Sequence, residues 1–123
     1  MTTNPNLPSK VSILVIGVTN LSRSVDFYQK TLGLQVTSRQ ENIATVSAGS
    51  ITLLLNETLG KAIKPGSGSM EIVFDVESVS AAHRLLMERG CTFIRTPSQV
   101  TSDSWRAILT DPDGHMLTIF GGK

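Results

Sequence analysis

With 123 residues, 40% of them hydrophobic and 17% charged, the chain has the size and composition of one globular domain that buries a core without disulfides or a structural metal. A formal charge of +1 offers no field for capturing nucleic acid or an anionic membrane, and no stretch reaches the roughly 18 to 20 continuous apolar residues of a membrane span. One cysteine, Cys91, excludes an intramolecular disulfide and a multi-cysteine zinc site, and with two histidines any metal chemistry must rest on carboxylates; the polar segment Met1–Ser9 carries no leader-like apolar core, so a cytoplasmic protein is expected.

Residues 11–18, VSILVIGV, are β-branched and uncharged, as expected of a strand covered on both faces. Asn20 is placed to accept from the free N–H groups of a following helix, on which Leu21, Val25, Tyr28 and Leu32 recur at helical spacing. Gly33 suits the left-handed residue that ends a helix. Leu34–Ser38, Ile43–Ala48 and Ile51–Leu55 then read as short strands separated by turns, so the first half is βαβββ.

Lys61–Ser69 reads as a flexible connection, after which the pattern repeats. Glu71–Val76 is a strand, Ser78 caps a helix over Val79–Arg89, and Gly90 stands where Gly33 stood. Thr92–Arg95, Trp105–Thr110 and Met116–Phe120 complete the second half, the last two joined by the turn Asp111-Pro112-Asp113-Gly114. Matching Val18 with Val76 and Gly33 with Gly90 superposes the halves, and Gly49 then falls opposite Gly114. One domain is expected over 1–123: module one over about 10–58, a linker over about 59–69 and module two over about 70–121.

The segments VTNLSRSVDFYQKTLGLQV (18–36) and WRAILTDPDGHMLTIF (105–120) resemble the helix-one signature and closing hairpin of the vicinal-oxygen-chelate superfamily, the glyoxalase/bleomycin-resistance/dioxygenase proteins. The resemblance spans roughly residues 10–121. It implies an α+β fold in which two tandem βαβββ modules curl mixed sheets into a U around a pocket, and it implies a homodimer. In metal-dependent members the first and last strands of each module supply His and Glu ligands to one divalent ion. Carried over by spacing from Val18, Val76, Gly49 and Gly114, those positions here are Ile13, Leu53, Glu71 and Thr118. Only Glu71 is a strong ligand type, and one carboxylate, one hydroxyl and two aliphatic groups make no tight divalent site. A slip of one residue, to Ser12, Leu14, Thr52, Leu54, Met70, Ile72, Leu117 or Ile119, does no better. No metal and no cofactor are therefore expected.

What remains is a metal-independent pocket lined by Ile13, Leu53, Glu71, Trp105, Arg106 and Thr118, taking an apolar or aromatic small molecule with one polar anchor. Glu71 is the candidate for moving a proton or meeting a cationic ligand group, against a solvent-exposed position or a pairing with Arg106. Trp105 and Arg106 are adjacent on a strand, so one of them faces the pocket: Trp105 to stack on a ligand, or Arg106 to clamp a carboxylate or phosphate. Tyr28 reads as core or interface, His115 as a solvated turn residue, Cys91 as a buried apolar group, and Asp111 and Asp113 as bonding the backbone of their own turn. The resemblance points to sequestering of an antibiotic or metabolite. The rivals are an enzyme of the same superfamily (lyase, isomerase, epimerase or dioxygenase) that uses Glu71 as base or metal ligand, and a regulatory module with a plugged pocket.

Overall fold

The computed structural model describes residues 4–64 and 70–123. Module one comprises β1 (Ile13–Gly17), α1 (Leu21–Asp26), β2 (Gln35–Arg39), β3 (Ile43–Ala48) and β4 (Ile51–Asn56). A short helix, α2 (Glu57–Ile63), follows it. Module two comprises β5 (Glu71–Ser78), α3 (Val79–Glu88), β6 (Thr92–Thr101), β7 (Ser104–Thr110) and β8 (Met116–Gly122). Each module forms one four-stranded mixed sheet, ordered β1-β4-β3-β2 and β5-β8-β7-β6, with β1/β4 and β5/β8 parallel and the other pairs antiparallel. This is the tandem βαβββ architecture, and the repeat extends to the backbone. Gly33 and Gly90 close the helices at φ 79° and 85°, and Gly49 and Gly114 occupy the matching hairpins at 68° and 87°.

Helix α1 begins as its sequence requires. Asn20 Oδ1 accepts from Arg23 N at 3.0 Å, and the Glu57 carboxylate, reaching across from α2, accepts from Leu21 N at 2.7 Å. The helix then widens into a π-helical turn over Phe27–Thr31, closed by Leu32 N donating to Phe27 O at 3.0 Å. Ser78 caps α3 through Ala81 N at 3.1 Å. Apolar side chains from both modules, among them Tyr28, Leu55, Val79, Leu109 and Leu117, join in one continuous core.

Three sequence expectations are corrected. β1 is covered on one face only, because α1 covers module one from a single side; Ile13 and Val15 are about half exposed. The reading of residues 61–69 as a connection fails at its start, where Lys61–Ile63 belong to α2; residues 65–69 lie outside the described residues. That helix is held by Asn56 Oδ1 accepting from Leu59 N at 2.9 Å, and Gly60 lets its backbone rest directly on Val18. Finally, β6 runs on to Thr101 rather than Arg95, with three irregularities in its pairing to β7.

Candidate functional site

Strand alternation gives each sheet a core face under the helices and an open face. In module two, cross-strand pairs put Glu71, Val73 and Asp75 of β5 in line with Met116, Thr118 and Phe120 of β8, and Ile108 and Arg106 of β7 in line with Thr118 and Phe120. All of these belong to the open face. Its polar centre is a hydrogen bond from Thr118 Oγ1 to Glu71 Oε2 at 2.6 Å, with Thr118 buried and Glu71 exposed. Arg106 is half-buried two strands away from Glu71, with which it forms no ion pair.

The other expected pocket residues divide between the two faces. Ile13 lies on the open face of module one, beside Val15. Leu53 does not join it: β1 and β4 pair Leu14 with Leu53, and Leu53 is 1% exposed in the core, so Thr52 and Leu54 take the open positions of β4. Trp105 packs against the core along with Ala107 and Leu109, and Lys123 Nζ stands 5.2 Å from its ring centroid. Of the adjacent pair, Arg106 therefore holds the open face. Met116 and Phe120 were missed in the sequence, although alternation from Thr118 points to both.

Where the modules meet, a cavity of about 120 Å³ lies between β1 and the starts of β5 and β8, with Val15, Gly17, Glu71, His115 and Met116 in its wall. His115 is not a solvated turn residue. Its Nε2–H donates to Gly17 O at 2.7 Å, tying the β7–β8 turn to β1. A larger cavity of about 290 Å³ lies on the helix side of module two, between Leu32 and Leu34 and the α3 residues Ala82, Leu85 and Leu86. Its walls are mainly aliphatic, with Thr31, Asp75 and Arg89 as the polar residues, and it lies on the helix side of the sheet, away from the Glu71–Thr118 pair.

The aspartates of the β7–β8 turn bond well beyond it. Asp111 Oδ1 accepts from the turn's own Asp113 N and His115 N, both at 2.9 Å, while Oδ2 accepts a hydrogen bond from the Tyr28 hydroxyl at 2.7 Å. Asp113 accepts from the Thr19 backbone N–H and hydroxyl and pairs with Arg23 at 3.2 Å. Burial, reinforced by the Asp111 charge, pushes the Tyr28 phenol far above its ordinary range, which suits a structural hydroxyl and not a base. Burial likewise raises the Cys91 thiol, only partly offset by Arg89, so Cys91 is a poor nucleophile.

The residues at the superfamily's metal positions do not fit a divalent ion. Glu71 is the one strong ligand type among them, Thr118 offers only a hydroxyl already donated to Glu71, Ile13 is aliphatic and Leu53 points into the core. Among the described residues no three His, Cys, Asp or Glu side chains gather as a ligand set, and no helix is long and apolar enough to cross a membrane.

Two tandem βαβββ modules, each a four-stranded mixed sheet with its helix on one face, define a protein of the glyoxalase-like α+β class. The family model of the Glyoxalase/Bleomycin resistance protein/Dioxygenase superfamily matches residues 10–119, and the chain belongs to that superfamily. Solved structures share the fold at low identity. A glyoxalase-related enzyme from Fulvimarina pelagi is 21% identical with a TM-score of 0.78, over 94% of this chain and 89% of that one. An antibiotic-binding protein from Streptomyces sp. CB03234 is 23% identical with a TM-score of 0.78, over 94% and 98%. A family enzyme from Burkholderia phytofirmans PsJN is 19% identical with a TM-score of 0.79, over 94% and 100%.

Proposed function

We propose that the protein is a metal-independent, cytoplasmic small-molecule binder that sequesters an antibiotic or metabolite on the open face of its sheets, with a second copy of the chain closing the pocket. The observation that carries this reading is the Glu71–Thr118 pair, one polar anchor set among Val73, Ile108, Met116 and Phe120. The half-exposed Ile13, Val15 and Val73 support the dimer, since apolar side chains on open sheet faces are more stable covered. The fold likeness to an antibiotic-binding protein agrees with this role.

Native mass spectrometry of freshly purified protein tests the proposal, because one spectrum reports subunit number, metal and retained organic molecules. A metal-free dimer is the expected result; a stoichiometric divalent ion that survives desalting overturns the metal-independent reading, and a monomer overturns the shared pocket.

A second reading is an enzyme of this superfamily that uses Glu71 as a base. It draws on Glu71 Oε1, which takes no hydrogen bond among the described residues while Thr118 holds the other oxygen. Glu71→Gln separates the two: it abolishes turnover if Glu71 moves protons, and weakens binding only a few-fold if Glu71 is an anchor.

A further inference from the structure

The open face of module two carries a cation with nothing to bind. The Arg106 side chain makes no hydrogen bond and no ion pair to any described residue, and its Nε is shut off from solvent without an acceptor. The cross-strand neighbours of Arg106 are Phe120 and Ser98, and Ile108 follows it on the same face. Glu71 and Asp75 share this face, yet neither reaches the guanidinium. An arginine cannot relieve such a position by losing its proton, so its desolvated N–H remains an unmet donor until an acceptor arrives. The two Nη groups of the guanidinium plane present parallel donors in the spacing of two carboxylate oxygens.

We propose that the ligand is an aromatic carboxylic acid whose carboxylate is clamped by Arg106, its ring lying over Ile108 and Phe120. The idea rests on the binding-pocket reading above and adds the charge and shape of the occupant. A flat anion suits the surface on both counts. Ile108 and Thr118, cross-strand partners, are buried between Arg106 and Glu71, and Phe120 is the cross-strand neighbour of Arg106. At the other end of the face, Glu71 Oε1 is available to accept from a hydroxyl or amino substituent. A ligand with its anion at that end would instead meet the Glu71 charge, so the orientation follows from the positions of the two groups.

The test is calorimetric titration of the intact protein with naphthoate and with its neutral amide, naphthamide, in low-chloride buffer, accompanied by backbone amide chemical shifts. The acid is expected to bind at least tenfold more tightly than the amide, with shifts at Arg106, Ile108 and Phe120. Arg106→Met, similar in length and without charge, is expected to bring the acid down to the affinity of the amide and to leave the amide within about twofold. Equal affinity of acid and amide for the unmodified protein overturns the clamp, and this comparison needs no variant to fold. If the amide binds with shifts on this face while the acid gains nothing, the pocket stands and the anion assignment fails. If neither compound binds, the pocket reading fails and this inference fails with it.

Discussion

Tyr28 of module one donates its phenol hydroxyl to Asp111 of module two across 2.7 Å, and both residues are buried. The π-helical turn of α1 carries Tyr28 at the point where module two meets it. Tyr28→Phe keeps the ring and leaves one oxygen of a buried carboxylate without its donor. The expected loss is about 1–3 kcal/mol, read as a lower urea midpoint with an unchanged slope.

The same bond predicts an alkaline limit. The folded phenol titrates well above its ordinary value of 10.0, so its contribution is fully present below that value and is lost as pH rises beyond it, where the unfolded chain ionises first. Tyr28 is the only tyrosine, so ultraviolet absorbance reads it directly. Tyrosinate absorbance should appear together with the loss of secondary structure; ionisation at an ordinary pH in a folded chain would contradict the burial argument.

Glu57 has the opposite dependence. The Leu21 N–H, and secondarily Lys61, hold its carboxyl below the ordinary 4.5. Its contribution is therefore present above that value and lost as pH falls through the folded pKa. Glu57→Gln should show a shallower decline of melting temperature on the acid side and little change in slope at neutral pH.

Gly60 is a packing requirement. A Cβ there would stand 2.1 Å from Val18 O and 2.3 Å from Val18 N, both backbone atoms of module one that cannot step aside. Gly60→Ala should lift α2 off β1 at a cost of about 3 kcal/mol, despite the better helix propensity of alanine. A melting temperature equal to the parent's would count against the close approach.

Thr118→Val keeps the shape of a buried side chain and removes the donor that orients Glu71. Because Glu71 is exposed and regains water, stability should change by about 1 kcal/mol or less. Affinity for a ligand that donates to Glu71 should fall by about tenfold, measured by titration against the unmodified protein.

Much of the fold is legible because its signals are local. Asn20, Ser78 and the positive-φ residues Gly33, Gly49, Gly90 and Gly114 each state a cap or a turn within a few residues of themselves. The candidate site is less legible because a strand repeats every two residues, so a count carried from Gly49 that slips by one sends Leu53 to the core instead of the pocket. Alternation alone separates Trp105 from Arg106 without saying which goes inward; that is decided by α3, which covers one side of the sheet. The bonds from His115 to Gly17 and from Tyr28 to Asp111 join residues more than eighty positions apart, and nothing near either partner announces them. Helix α2 was hidden by Gly60, a helix-weakening residue present for its contact with Val18.

The carboxylates of the β7–β8 turn have a meaning for the history of the chain. Matching Gly33 with Gly90 puts Leu85 at the place of Tyr28, and the strand pairing that matches Val46 with Leu109 puts Ala48 at the place of Asp111. Whatever symmetry the two copies once shared, their junction is now directional, with hydroxyl and guanidinium donors in the first copy and acid acceptors in the second. At this turn the two copies meet as unlike partners, donors on one side and carboxylates on the other.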